Sequence, residues 1–298
     1  MSETIVTESR VRDYISLLKP RVMSLVVFTG LIGLLMAPGV GEMHPFIACV
    51  AIFCIALGSG AAGAINMWYD RDIDAVMNRT KKRSVPAGRV TAQDALEFAV
   101  IMSAASVFIM LIAVNWVAAA LLLTAILFYV FIYTMWLKRS TPQNIVIGGA
   151  AGAFPPMIGW ASVTGSITLE SILLFCIIFM WTPPHFWALS LYCNDDYTRA
   201  KVPMLPVTSG VRVTQNHILT YSICLLFTTL LPVAVGMSGL IYLVGATLLG
   251  LRFCQLAYVV WQHYEIERAR KLFKYSILYL FVLFTLLLID QWIPIDAI

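Results

Sequence analysis

Residues 45–74 read PFIACVAIFCIALGSGAAGAINMWYDRDID, and this stretch decides the fold. Residues 45–69 contain no Asp, Glu, Lys or Arg. At about 1.5 Å of rise per residue, a helix of this length crosses the roughly 30 Å hydrocarbon core of a bilayer. The run is continuously apolar and does not alternate at period two, which favours a helix over a barrel strand. The stretch therefore predicts a membrane-spanning helix that ends in a group of aspartates.

The rest of the chain has the same character. Of its 298 residues, 60% are hydrophobic and 12% are charged, which excludes an ordinary soluble domain. We predict an all-α integral membrane protein, with a cytosolic tail at residues 1–20 and a single polytopic membrane domain at residues 21–298. Nine transmembrane helices are expected, at roughly residues 21–38, 45–69, 93–114, 116–137, 144–164, 168–192, 215–236, 239–261 and 273–293.

The basic residues predict the orientation. With nine spans, the N-terminus and the loops after the even-numbered spans share one side of the membrane. Every Lys and Arg of the chain belongs to that side, apart from Arg252 inside the eighth span. By the positive-inside rule this side and the N-terminus are cytoplasmic, as in a multi-pass protein of a bacterial inner membrane. The net charge of +4 is explained in this way, and no nucleic-acid partner is expected.

Two cytosolic loops, residues 66–92 and 193–214, carry most of the chemistry. They follow the second and the sixth span, four spans apart. Their exits are alike, since VPAGRVTAQD (85–94) and LPVTSGVRVTQN (205–216) both pass through proline and glycine to Arg-Val-Thr. We interpret this as an internal repeat of two four-helix halves, with a ninth helix added.

The first loop contains a stack of oxygen ligands. Asn66, Asp70 and Asp74 are spaced by four residues, so a continuing helix would place them on one face over about 12 Å. Mg²⁺ prefers such ligands, and it keeps its remaining positions for water and phosphate oxygens. Asp72 would point away from this face.

Basic residues follow the stack directly. Carboxylates beside a basic run are suited to a metal-bridged diphosphate, because the acids hold the metal and the bases neutralise the remaining phosphate charge. The second loop repeats the pattern. The candidate diphosphate ligands are Asn66, Arg79, Lys82, Arg83, Arg199 and Lys201, and the candidate metal ligands are Asn66, Asp70, Asp74, Asp195 and Asp196. The alternative is a solvated loop whose acids and bases pair with one another, and the sequence leaves open which of Asp195 and Asp196 touches metal.

These residues resemble a known family. NMWYDRDID is similar to the NxxxDxxxD motif of the UbiA superfamily of intramembrane prenyltransferases, NRTKKRSVPAGRV (78–90) resembles the basic run that follows it there, and LLKPRVMSL (17–25) resembles the entry to the first helix. Within the superfamily, WTPPHFWALS (181–190) and DDYTRAKVPMLPV (195–207) resemble the protoheme IX farnesyltransferase branch. The chain departs from the Asp-x-x-Tyr-Ala-x-x-Asp motif of quinone-pathway members, which favours the haem branch.

The resemblance implies a reaction. Farnesyl diphosphate would ionise with the help of Mg²⁺ bound at Asp70 and Asp74, a vinyl group of protoheme IX would attack the allylic cation, and water would add to give haem O. A downstream haem-modifying enzyme or terminal oxidase in the same lipid bilayer would receive the product. Aromatic side chains could stabilise the cation, although packing explains each of them as well. They are Trp68, Tyr69, Tyr129, Tyr133, Trp136 and Phe154.

His185 lies inside the sixth predicted span, after Pro183 and Pro184. A histidine within a span is a functional candidate. It could ligate haem iron, hydrogen-bond a propionate or take the proton when water adds. It could equally bond a backbone carbonyl that the prolines leave free.

Two other functions are compatible with parts of the pattern. Another UbiA-type enzyme would use the same diphosphate site to prenylate an aromatic acid such as 4-hydroxybenzoate. A transporter would place its ionisable groups near the bilayer midplane, whereas the acids of this chain cluster at one membrane face.

Overall fold

The computed structural model describes residues 10–293, and all regular secondary structure in that range is helical. Residues 1–9 of the predicted tail and residues 294–298 of the predicted membrane domain lie outside the described range. The helices are α1 (Val11–Leu17), α2 (Pro20–Leu35), α3 (Pro45–Tyr69), α4 (Arg71–Val76), α5 (Ala92–Ala113), α6 (Trp116–Ser140), α7 (Asn144–Thr164), α8 (Leu169–Tyr192), α9 (Asn194–Arg199), α10 (Leu205–Ala234), α11 (Leu240–Gln262) and α12 (Ile266–Trp292), with a 3₁₀ turn at Val40–Glu42.

The predicted all-helical membrane architecture is confirmed. Eight of the described helices are long and apolar enough to cross a membrane, and the bent pair α1–α2 raises the number to nine if it counts as one span. The two helices of that pair meet at 54°. The 16 residues of α2 rise only about 24 Å, which is less than the roughly 30 Å hydrocarbon core of a bilayer. For this reason α2 counts as a span only together with α1.

Two predicted spans begin earlier than expected. The predicted helix 215–236 starts at Leu205, and the predicted helix 273–293 starts at Ile266. In α10 the first turn holds Pro206, a favoured position for proline, and the chain breaks at Gly210, whose φ of 82° suits glycine. Most of the second half of the predicted loop 193–214 is therefore helical, because polar residues beyond an apolar run can still continue a helix.

The helix under the aspartates is also interrupted. We predicted a continuous helix through Asp74, but α3 ends at Tyr69 and α4 begins at Arg71. Asp70 sits between them with φ −88° and ψ 12°. Its N–H still donates to the Asn66 carbonyl at 2.9 Å, and the Asp74 N–H donates to the Asp70 carbonyl at 2.8 Å. The i to i+4 spacing therefore survives the break.

The second loop has the same local architecture. Helix α9 follows α8 after one non-helical residue, Cys193, with φ −106° and ψ 20°. Both α4 and α9 contain six residues. This equivalence of the two short helices is what the predicted internal repeat requires.

Helices α2 and α7 cross closely in the centre of the bundle. A Cβ atom added to Gly33 would lie 2.6 Å from the Cα of Pro156, and one added to Gly159 would lie 2.9 Å from the backbone nitrogen of Leu34. Small residues permit such close approach of helices in a membrane. Both helices contribute side chains to two clusters of buried apolar residues, one on each side of the crossing.

Candidate active site

The three oxygen-bearing side chains of the first loop are buried together. The exposed fractions are 4% for Asn66, 0% for Asp70 and 2% for Asp74. Asn66 Nδ2 donates to Asp70 Oδ2 at 2.7 Å and to Thr134 Oγ1 at 3.2 Å. Carboxylates removed from water in this way require charged or hydrogen-bonding partners.

Basic side chains from the end of α6 and from the first loop supply those partners. Lys138 forms an ion pair with Asp70, and Arg139 Nη2 lies 3.4 Å from the other oxygen of the same carboxylate. Arg83 Nη1 donates to Asp74 Oδ2 at 2.7 Å. The site is therefore a buried network of acids and bases, formed between α3, α4, the first loop and the end of α6.

A distorted segment of α6 presents two of these partners. Residues Phe128–Leu137 form a π-helix, a rare structure that frequently occurs at functional sites. Thr134 lies within this segment and accepts a hydrogen bond from Asn66, and Lys138 follows directly after it. The widened helix thus directs its last turns toward the aspartates.

Lys19 approaches the same cluster from the start of α2. Its Nζ donates to Asn66 Oδ1 at 3.2 Å. Its backbone is left-handed, with φ 51° and ψ 55°, a conformation that costs energy for a non-glycine residue.

Sequence analysis did not select Lys19, Lys138 or Arg139 as site residues. All three stand at the end of an apolar span, on the side predicted to be cytosolic, where a base also satisfies the positive-inside rule. Only α6 carries a sequence signal for such a role. Lys138 and Arg139 are the only Lys or Arg residues between Arg89 and Arg199, so they stand out from their apolar surroundings.

Asp72 points away from the stack, as predicted. Its side chain is mostly exposed and accepts two hydrogen bonds from Arg139, at 2.7 and 2.8 Å. The hydrogen bonds from Arg139 lower the pKa of Asp72 to about 2. Arg139 also lies over the Tyr69 ring at 4.9 Å. Asp72 thereby holds Arg139 beside Asp70.

The two loops are joined at Asp196. Its Oδ2 accepts a hydrogen bond from the backbone N–H of Arg79 at 3.2 Å, and its other oxygen pairs with Arg199. Partial burial opposes ionisation, but hydrogen bonds from the backbone of Arg79 and Asn78 lower the pKa of Asp196 below its usual range. Of the two acids in the second loop, Asp196 is thus the one that contacts the first loop.

Three other candidate residues are less closely engaged. Asp195, Lys82 and Lys201 have exposed side chains. Their roles in binding metal or diphosphate stay predictions.

The donor set suits a metal ion that is shared with a substrate. Residues 10–293 contain no group of three or more His, Cys, Asp or Glu side chains arranged to hold a metal ion by themselves. Mg²⁺ does not need one, since it usually takes one or two carboxylates and fills its octahedron with water and phosphate oxygens. The buried carboxylates of Asp70 and Asp74 beside the amide of Asn66 fit this requirement.

His185 lies deeper in the bundle, on α8. Its ring stacks on Trp181 at 4.1 Å between centroids and on Phe273 at 4.7 Å. Its Nδ1 lies 2.6 Å from Ser276 Oγ on α12. The hydrogen-bond partner of His185 is thus a serine hydroxyl of another helix, and not a carbonyl of its own helix.

The candidate aromatic residues have different environments. Tyr129 and Tyr133 pack against each other at 5.3 Å, and Tyr133 fits against the space left by Gly148. Phe154 packs on Phe175. Trp136 is 62% exposed and lies on the outside of the bundle, so it does not face an enclosed site.

The helical fold and this buried cluster of acids and bases are those of an intramembrane prenyltransferase. The chain belongs to the UbiA prenyltransferase family, whose family model matches residues 26–285. Its similarity extends to particular members. It is 56% identical to the protoheme IX farnesyltransferase of Parvibaculum lavamentivorans over 96% of this chain and 91% of that protein. It is 57% identical to the protoheme IX farnesyltransferase of Rickettsia bellii, over 94% of this chain and 93% of the relative.

Solved structures share the fold. A digeranylgeranylglyceryl phosphate synthase structure superposes with a TM-score of 0.78 at 16% identity, covering 94% of this chain and 98% of the other. A UbiA homologue from Archaeoglobus fulgidus bound to GPP and Mg²⁺ gives a TM-score of 0.64 at 15% identity, covering 92% and 99%. At these identities the likeness concerns the fold alone.

Proposed function

We propose that this protein transfers the farnesyl group of farnesyl diphosphate, with addition of water, to a vinyl group of protoheme IX, giving haem O and diphosphate. The observation that carries the proposal is the buried Asn66–Asp70–Asp74 face with its surrounding bases. The similarity to protoheme IX farnesyltransferases over nearly the whole chain supports the choice of substrates.

Basic side chains would assist the first step of the reaction, the departure of diphosphate. As the bond between C1 of farnesyl and its oxygen breaks, the electron pair leaves with the diphosphate, so negative charge grows there. Fixed positive groups aimed at developing charge stabilise the transition state. Arg83 and Lys138 contact the carboxylates, and Lys19 contacts the Asn66 amide beside them. These three bases would take this role, assisted by Arg79 and Arg199.

Mg²⁺ would be held by Asp70 and Asp74 with Asn66 beside them, and Asp196 would supply the acid of the second loop. When bound, Mg²⁺ neutralises phosphate charge and helps the diphosphate depart. The UbiA homologue from Archaeoglobus fulgidus was solved bound to GPP and Mg²⁺, which supports the proposal that this chain binds Mg²⁺.

The acceptor completes the reaction inside the bundle. The vinyl π electrons form the new bond to C1 of farnesyl, and the resulting cation beside the porphyrin is captured by water, which then loses a proton. The aromatic pair Tyr129–Tyr133 would shield the allylic cation. His185 is the candidate residue on the acceptor side.

We further propose that the protein has nine spans in a bacterial inner membrane, with the N-terminus and both loops in the cytoplasm and with residues 21–298 forming one domain. The bent α1–α2 pair would then count as one span, and the bases of the chain would obey the positive-inside rule. The hydrophobic product would pass within the bilayer to a haem-modifying enzyme or a terminal oxidase.

The test uses purified, detergent-solubilised protein with farnesyl diphosphate, Mg²⁺ and protoheme IX, followed by chromatography and mass analysis of the extracted haem. We expect a haem heavier by one farnesyl group plus one hydroxyl group, and this product should be lost without Mg²⁺ and in Asp70→Asn. If haem returned unchanged while 4-hydroxybenzoate became prenylated, the diphosphate site would stand and the acceptor would be wrong.

A further inference from the structure

The ring of His185 is fixed by the last helix of the bundle. Phe273 and Ser276, both on α12, contact one face and the Nδ1 atom of the imidazole. Trp181 covers the ring as well, and its own Nε1–H donates to the Ser276 carbonyl at 2.8 Å. The orientation of the imidazole is therefore set by groups that are themselves hydrogen-bonded.

A count of protons determines which ring nitrogen is protonated. Ser276 Oγ lies 2.6 Å from His185 Nδ1 and 2.6 Å from the Phe273 carbonyl oxygen. Each of these short contacts needs a proton between its two atoms, and a hydroxyl has only one to donate. If Ser276 donated to Nδ1, two oxygen lone pairs would face each other at 2.6 Å. Both contacts are favourable only when Ser276 donates to Phe273 and Nδ1–H donates to Ser276.

The neutral ring then carries a lone pair on Nε2. That atom makes no hydrogen bond to any of residues 10–293, although the side chain is only 8% exposed. Nε2 is nevertheless not among the fully enclosed polar atoms that lack a partner, so its lone pair is open to a ligand. A histidine that donates one N–H to an oxygen while offering the other nitrogen is the usual arrangement of a metal-binding imidazole.

We infer that Ser276 is a positioning residue that holds His185 in the Nδ1-protonated tautomer, so that Nε2 ligates the iron of the porphyrin acceptor. This inference rests on the proposed function, since the iron belongs to the substrate. It excludes a role for Nε2 as a donor to a propionate, because the lone pair would face the carboxylate. It also gives α12 a function beyond packing.

The test is a spectroscopic titration of the full-length protein in detergent with ferric protoheme IX, without farnesyl diphosphate. We expect the Soret band and the electron paramagnetic resonance spectrum to show nitrogen ligation, which His185→Gly removes and added imidazole restores. Ser276→Ala should weaken haem binding by roughly 10- to 100-fold, as loss of an outer partner does at other metal sites. Ser276→Thr keeps the hydroxyl and should stay within about threefold of wild type.

A matched control separates ligation from stability. Ser222 is equally buried, and its hydroxyl bonds only the Ile218 carbonyl, so Ser222→Ala should leave the spectrum unchanged. Wild-type protein that forms haem O but shows no nitrogen ligation would overturn the inference and leave the proposed function intact. Equal haem affinities for Ser276→Ala and Ser276→Thr would overturn the role of Ser276. Loss of both ligation and haem farnesylation in the wild type would overturn the proposed function too.

Discussion

Replacing Lys138 with methionine tests the charge network most directly. The substitution keeps most of the side-chain volume and removes one of the two bases that contact Asp70. If Lys138 moves to the diphosphate when substrate binds, its loss removes one charge-assisted hydrogen bond from a site that is largely shielded from water. Such bonds are worth about 1.5–3 kcal/mol.

That range predicts a fall of roughly 10- to 150-fold in kcat/KM for farnesyl diphosphate. A second effect has the opposite sign. Lys138 competes with Mg²⁺ for the carboxylate of Asp70, so its removal should lower the Mg²⁺ concentration needed for half-maximal activity. The two changes together distinguish a lost phosphate contact from general damage, which would not improve the response to metal.

The assay follows formation of the farnesylated haem by chromatography at several farnesyl diphosphate and Mg²⁺ concentrations. Lys81→Met is the matched control, since Lys81 is exposed and bonds only the side chain of Asn78. We expect it to stay within about twofold of wild type, as exposed polar contacts contribute little. A Lys138→Met enzyme whose kcat/KM also stayed within twofold would refute the assignment of Lys138 to the diphosphate.

Three further outcomes are expected. Gly159→Ala should lower the free energy of unfolding by about 1–3 kcal/mol in a thermal-shift measurement, because its methyl group meets the backbone of α2. Gly152→Ala in the same helix is the control and should be neutral, because its methyl group meets nothing within 4 Å. Asp13→Ala should leave the first loop easier to cleave by added protease, because Asp13 Oδ1 accepts a 2.9 Å hydrogen bond from Arg89 of that loop; unchanged cleavage rates would contradict this. Chelation of Mg²⁺ should abolish farnesyl transfer reversibly, and activity that persists in excess chelator would rule out metal dependence.

Much of the architecture was predictable from the sequence because the bilayer imposes simple rules. Long apolar runs have few alternatives to helices, and the bases mark one face of the membrane. The four-residue spacing of Asn66, Asp70 and Asp74 also predicted a shared face, which the structure shows. Local hydrogen bonds preserved that spacing even though the helix breaks at Asp70.

The parts that could not be predicted depend on contacts between distant segments. Lys19, Thr134 and Lys138 reach Asn66 and Asp70 from other helices, and a sequence read locally gives no sign of this. The early starts of α10 and α12 arise where polar residues continue a helix beyond the apolar run, and α10 breaks at Gly210 within this extension. Hydropathy alone cannot find such starts.

The π-helical segment Phe128–Leu137 makes the length of α6 as important as its composition. In an α-helix each residue turns the chain by about 100°, so deleting one residue from this segment would rotate everything that follows it by that amount. Lys138 and Arg139 would then leave Asp70 even if every remaining residue were unchanged. Homologous enzymes that keep this site are therefore expected to tolerate substitutions in the segment far better than insertions or deletions.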